Sequence, residues 1–546
     1  MNFRFFRLFI YSIGNLILEK FYKIYFHTKY YNDSLKVTPP SRSYDMNNVP
    51  LLTELEDKNI KRVELINKFK KNIWKLENLN QKNIDELHKF SWLSKLDIKN
   101  DKKLTQEIIL EWLKKNHNFN EKTWKHNIAA SRLIFWICCS HFTIRNEDMV
   151  FRSALTNNII KQAFHLNKNL TFIHDNLDRI FVISSLILTS VTFEGNQKLF
   201  QNSIKNLSNE IKKIIDKNGF VESKNPEDQF WILHHLILIR EFLIFSQNTV
   251  PEFLDQNIQR IGSIYKSLIL SNNTLPLFNG SKNRNINDFE KFLKAKNYKF
   301  DKKNQAHFYL NSKSKKFEII LDANDPPSDL YSHKYQAGCL SFEFLYNGKR
   351  IISNSGSGSN FGQELSYLSQ STAAHSTLTI NDTSSCLFQK NNLIKYFYGN
   401  SLIQKLKVYK KDLNTEKGII SIIAGHNGYE KQYNALYERK ILIEEEKNQL
   451  SGNELIIVAK KDLAFLNFSL RFHLAPEAKI IQTQGGDILI SVDNLGWRFK
   501  SSHQIKIENS LYFGSYDKVF DTKCILLEGT LKDKINNINW TLEKTN

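Results

Sequence analysis

Across residues 51–247 apolar side chains recur at helical spacing, with few strand signals between them. Ile108, Ile109, Trp112 and Leu113 form one such set, and Ile128, Leu133, Phe135 and Trp136 another. Residues 180–188 are apolar almost without a break, and a helix that is apolar on every side belongs inside a helical assembly. Short polar connectors such as HFTIRNED then predict helices packed one after another. After LPLFNGSKNRNINDFEKFLKAKN the pattern changes. Residues 308–310, 317–321, 340–345, 350–352 and 376–380 read as short strands, separated by turn signals such as Asn347-Gly348 and Asp325-Pro326-Pro327. Further strands are expected at 419–424, 440–443, 454–459, 465–474 and 488–492. Closely spaced strands without intervening helices predict an antiparallel β-sandwich. The chain is therefore expected to be an α+β multidomain protein: an N-terminal segment at 1–45, a helical domain at 46–295 and a β-sandwich domain at 296–546.

Two loops of the helical half carry polar clusters. In LNKNLTFIHDNLDR, His174 and Asn176 are candidates to meet a sugar carboxylate, while Asp175 or Asn176 also fits a helix N-cap. In NGFVESKNPEDQFWILHHL, Asn225 as cap, Pro226 in the first turn and the acidic Glu227 and Asp228 behind them predict a helix start. Lys224, just before the cap, is placed to neutralise an acidic group. His234 and His235 follow on the same helix, and at least one is expected to pack rather than react.

In the sandwich half, Ser376, Leu378 and Ile380 alternate with His375, Thr377 and Thr379. That alternation puts His375 on the polar, open face of a half-buried strand, beside the small Ala373 and Ala374. An imidazole so placed can give or take a proton near neutral pH. Tyr367, Tyr429 and Tyr433 are further candidates for proton transfer, with the alternative that they bury a ring and bond the hydroxyl.

Lys plus Arg exceeds Asp plus Glu by 76 to 56, a formal charge of +20, which suits an anionic partner. No basic stripe interleaved with aromatics and no zinc-finger spacing points to nucleic acid. The five cysteines are odd in number and lack C-x-x-C spacing, so neither a disulfide framework nor a thiolate zinc site is expected. Cys138 and Cys139, in LIFWICC, read as buried thiols. The N-terminus MNFRFFRLFIYSIGNLILEKFYKIYF has an uncharged core at 8–18, the length of a leader's apolar region, but Glu19 and Lys20 follow without a small-x-small cleavage site. It is too short to span a bilayer. Phe3, Phe6, Leu8 and Phe9 with Arg4 and Arg7 fit a helix docked on the first domain, the favoured expectation, or one lying at a membrane surface; an envelope-directed leader is the rival, and without a cleavage site a cytoplasmic location stays open.

The run TAAHSTL, with GCLSFEF at 338–344 and NSGSGSNF at 354–361, resembles the C-terminal domain of the heparinase II/III-like family of polysaccharide lyases. HKFSWL, WKHNIAASRLIFW, ESKNP, LPLFNG, AGHNGYEKQY, RFHLAP and GWRF extend the resemblance over roughly residues 85–500. It implies an incomplete α/α toroid ahead of the sandwich, no organic cofactor, and an anionic polysaccharide substrate cleaved by β-elimination in the bacterial cell envelope or periplasm. His375 would then be base or carboxylate neutraliser, Tyr429 or Tyr433 the acid, and Lys224 and Asn225 substrate contacts. Relatives carry a tyrosine just after the equivalent of Pro226, where this chain has Asp228 or Gln229, and an arginine where it has Gln370. Those departures favour an alternative, a catalytically impaired glycan-binding or envelope-assembly protein. Some relatives hold a structural zinc; His473 and Asp382 are far short of a metal signature. A hydrolase would need a carboxylate pair, for which Glu222 and Asp228 are the nearest residues.

Overall fold

The computed structural model describes residues 3–36, 40, 43, 52, 55, 73–75, 81–145, 148–302, 305–306, 309–314, 316–400, 402–416, 418–459 and 466–545. Leu51, Asn146, Lys303, Phe308 and Phe465, which bound expected elements, lie outside them, as do the side chains of Phe3 and Arg4. The chain divides into two compact units.

The first unit comprises Met1–Ile214, Trp231–Gln259 and Asn287–Lys299 and is helical. Its helices begin where short polar side chains satisfy the free backbone N–H groups of a first turn. Asp97 caps Ile98–Asn116, Asp148 caps Met149–Asn169, and Asp175 caps Asn176–Thr192 through the N–H groups of Leu177 and Asp178. Ile108, Ile109, Trp112 and Leu113 are buried, as are residues 128–138 of His126–Cys138. The apolar run at 180–188 is buried apart from a half-exposed Phe181. Arg132 is sealed among these helices: its guanidinium donates to Gln162, the His88 carbonyl and the Thr123 carbonyl and lies 4.3 Å above the Trp112 ring. His234 and His235 are both buried, His235 stacking on Trp231.

The second unit comprises Ile215–Phe230, Arg260–Ile286 and Phe300–Asn546. Among the described residues it holds a nine-stranded and an eight-stranded sheet, every pairing antiparallel. The first sheet runs from Gln305–Ala306 through Phe342–Tyr346, Lys349–Ser353 and Asn467–Leu474 to Ile505–Tyr512; the second runs from Lys479–Gln482 through Ile535–Thr545 and Gln449–Val458 to Val408–Glu416. Strict alternation along Ala435–Glu444 and Gln449–Val458 turns one face of the second sheet inward. Phe342 of the first sheet stacks on Trp540 of the second at 5.9 Å, and Phe344 meets Trp497 edge-on at 5.5 Å, so the two sheets share one core. Asn347 and Gly348 both have positive φ and close the two-residue hairpin between Phe342–Tyr346 and Lys349–Ser353, the turn their sequence predicts.

Residues 215–230 and 260–286 precede the strands in the chain yet fold with them. Side-chain bonds hold them there. The Tyr309 hydroxyl donates to the Lys224 carbonyl at 2.6 Å, Asn311 to the Ser267 carbonyl at 2.8 Å, and the Ser271 N–H to Glu318 at 2.7 Å.

Candidate functional site

Lys224, Asn225, Glu227 and Asp228 sit at the start of the helix Pro226–Phe245. The Asn225 carboxamide oxygen accepts from the N–H groups of Glu227 and Asp228 at 2.7 and 3.3 Å, the cap its sequence predicts, and the residue is 1% exposed. Lys224 turns the chain with φ 57°. Its carbonyl accepts from Tyr309 and Asn279, and its ammonium lies 3.6 Å from Glu222 and above the Phe220 ring.

The two acidic residues of the first turn are engaged. Glu227 accepts from Arg284 at 3.1 Å, from the Lys282 N–H at 3.3 Å and from the Tyr516 hydroxyl. Burial alone would raise its pKa, but Arg284, Tyr516 and Lys334 together hold it below the usual carboxylate range. Burial and the Glu227 charge push the Tyr516 hydroxyl well up. Asp228 accepts from Lys334 at 2.6 Å and from the Ser223 hydroxyl at 2.7 Å. Arg284, Tyr516, Lys282 and Lys334 were not among the residues singled out from sequence. Arg284 and Tyr516 lie 57 and 289 positions from Glu227, and no local pattern links residues so far apart.

A side-chain bridge ties this cluster to the AAHS segment. Gln336 accepts from the Gly280 N–H at 2.9 Å, and its amide donates to the carbonyls of Gly356 and Ser369 at 2.9 and 2.8 Å. An added Cβ on Gly280 would sit 3.2 Å from the Asn225 amide nitrogen. Asn225 and the AAHS segment therefore belong to one neighbourhood of the second unit.

The expected open face for His375 is corrected. The strand proper is Leu378–Ile380, buried at every position, because it pairs with Asn467–Leu474 and both of its faces are covered. Thr377 and Thr379 satisfy their hydroxyls on the carbonyls of Cys339 and Ser469. His375 is 1% exposed, with the Ser369 backbone beside its ring. Burial, with a smaller contribution from His473, lowers its pKa to about 3, so the ring is neutral at neutral pH and bears no charge to set against a carboxylate. The ring packs on Gly338, where a Cβ would lie 2.9 Å from the imidazole Cγ and Nδ1. Gly338→Ala is accordingly expected to cost about 1–3 kcal/mol by overpacking, read from urea or thermal unfolding.

Tyr429 is fully buried, donates to the Leu378 carbonyl at 2.6 Å and is pushed well above 10 by burial. Tyr433 ends the short helix Glu430–Tyr433 and is half-buried. The Gln370 carbonyl accepts from the Ala337 N–H at the end of Gln363–Gln370, with its side chain half-buried. Tyr367, on that helix, is 42% exposed; the Gln363 amide and then Lys395, 4.3 Å from the ring, lower its pKa. His473 bonds Ala373 and Ser510, at 2.9 and 2.8 Å, and Asp382 is exposed. No cluster of three or more His, Cys, Asp or Glu fit for a metal occurs among the described residues. His174 and Asn176 fall in the first unit, where His174 pairs with Glu19 at 3.0 Å and Asn176 is the first helical residue after the Asp175 cap.

Residues 295–541 match the model of the heparinase II/III-like, C-terminal domain. A heparinase III crystal structure superposes with a TM-score of 0.66 at 13% identity, over 98% of this chain and 92% of that one. Heparan sulfate lyase HepC from Pedobacter heparinus gives 0.57 at 14% identity, over 87% and 78%. FtsZ-localized protein C of Caulobacter vibrioides is 22% identical over 475 residues, 84% of this chain and 81% of that protein. The fold is thus that of the polysaccharide lyases built from an incomplete α/α toroid and an antiparallel sandwich. Residues 295–541, somewhat less than half of the chain, are similar to the C-terminal domain of heparinase II/III-like proteins.

Proposed function

We propose that this protein binds an anionic, uronate-containing polysaccharide of the cell envelope and is catalytically impaired relative to the lyases whose fold it shares. β-Elimination needs a group to quench the uronate carboxylate, a base at C5 and an acid for the departing oxygen, and the largest contribution comes from preorganised donors to the developing enolate. One observation carries the proposal: His375, the imidazole assigned to that centre, is sealed and neutral. Tyr429 is buried too, and the residues following Pro226 are bound to Arg284, Tyr516 and Lys334. What the cluster retains is a rigid helix start bearing the partly exposed Lys334, whose ammonium is shared with Asp228, which suits recognition.

The purified protein is expected to be retained on immobilised heparin, alginate or hyaluronan without producing the ultraviolet absorbance of an unsaturated sugar. Lys334, with 38% of its side chain exposed, is the most direct test. Lys334→Glu is expected to weaken binding about tenfold, the loss of one charge-assisted contact.

A second reading, elimination, is favoured by the fold shared with heparinase III and heparan sulfate lyase HepC. An absorbance rise on any uronate polymer would select it and overturn the binding-only proposal.

A further inference from the structure

The helix Phe3–Phe26 presents an uncovered apolar face. Phe6, Ile10, Ile13, Ile17, Phe21 and Ile24 follow one another at intervals of three or four residues, which puts them on one stripe, and they are between 39% and 73% exposed. The opposite side is held down. Ser12 is fully buried, Tyr22 packs on Phe172 at 4.6 Å, Phe26 on Phe119 at 5.2 Å, and Glu19 reaches His174. One side of the helix is thus packed on the helical unit, with half of its apolar surface left over. A helix fastened along its length to the protein lies flat, and none among the described residues is long and apolar enough to cross a membrane.

We infer that this stripe seats the protein on an anionic lipid bilayer surface. A 24-residue helix is about 36 Å long, enough to lay six large apolar side chains into the headgroup boundary. Charge selects the occupant. Arg7 and Lys20 are exposed beside the stripe, and the helix's carboxylate, Glu19, is turned to His174. A second copy would bring like charge to like: in an antiparallel pair Arg7 faces the Lys20 end, in a parallel pair Arg7 faces Arg7, and each chain carries +20 overall. Anionic headgroups complement both the stripe and its cations. The inference is independent of whether the sandwich binds or cleaves a glycan.

Cosedimentation of the full chain with vesicles of phosphatidylcholine alone, or with added phosphatidylglycerol, tests it. Wild type is expected to pellet with the anionic vesicles, and Ile10→Ser/Ile17→Ser/Phe21→Ser to lower that binding about tenfold or more with an unchanged circular dichroism melt. Arg7→Glu/Lys20→Glu is expected to remove the preference for anionic over neutral vesicles. Should the triple variant fold poorly, Ile17→Trp decides: a blue-shifted emission with anionic vesicles supports the inference, an unchanged spectrum overturns it. Absence of wild-type binding, or equal binding by a folded triple variant, would also overturn it. So would a wild-type dimer that the triple variant converts to monomer while neither form pellets, which assigns the face to a second copy.

Discussion

Glu454→Ala is expected to destabilise the strand-built unit by about 3–5 kcal/mol, the usual cost of leaving a buried charge without its partner. Glu454 and Arg439 are both fully buried, with the Arg439 Nε 3.0 and 2.9 Å from the two carboxylate oxygens. The carboxylate also accepts from the Tyr437 hydroxyl at 2.6 Å and the Trp540 indole at 2.8 Å. Arg439 in turn donates to the carbonyls of Leu340 and Ser376 at 2.6 and 2.7 Å, so it fastens the second sheet to the AAHS segment. Removing the glutamate strands a guanidinium in the core together with two polar rings. Glu454→Leu/Arg439→Met, which removes both charges, is expected to be less damaging than either single change, because neither ion is then left alone. Urea unfolding of the four proteins checks this; a single variant as stable as wild type would show that the pair is not what holds these strands.

Acid is expected to unfold the protein well above the pH at which carboxylates titrate. Burial lowers His165, His375 and His426 to about 3 and His88 and His473 to about 4, against 6.5 for a free side chain. For a group depressed in the folded state, the stability present above the unfolded pKa is lost as pH falls toward the folded one, because only the unfolded chain takes up the proton. The window is pH 6.5 down to 3–4, and each histidine removes up to about 1.4 kcal/mol per pH unit inside it. Asp322 works the other way. Burial raises it from 3.8 to about 7, so it is protonated first in the folded state and offsets one histidine over that range. His235 is lowered as well and Glu343 raised, so buried histidines still outnumber raised carboxyls and leave a net loss of several kcal/mol between about pH 6.5 and 5. A thermal midpoint that is the same at both would show that these rings are not buried neutral. His375→Gln should flatten the profile by one histidine's share.

How much of this was legible in the chain follows the range of the interactions. The Asn225 cap was readable because it is made within three residues, and so was the Asn347-Gly348 hairpin, whose two residues tolerate the positive φ the turn demands. The motifs of the strand-built half, from GCLSFEF to GWRF, pointed to the C-terminal domain whose model matches residues 295–541. The burial of His375 was not readable. Alternating Ser, Thr and aliphatic residues look like a strand with one wet face, yet here the polar face is also covered and each hydroxyl finds a carbonyl. The surroundings of Glu227 were equally hidden, since Tyr516 comes from a turn 289 residues away.

Sequence alone determined that helices precede a strand-built half and that the chain is basic, because periodicity and charge are properties of neighbouring residues and of sums. Only the tertiary structure decided which polar groups meet and which are sealed. Whether a titratable side chain can do chemistry depends on what distant segments lay over it, and at His375 those segments bury the ring and hold it neutral.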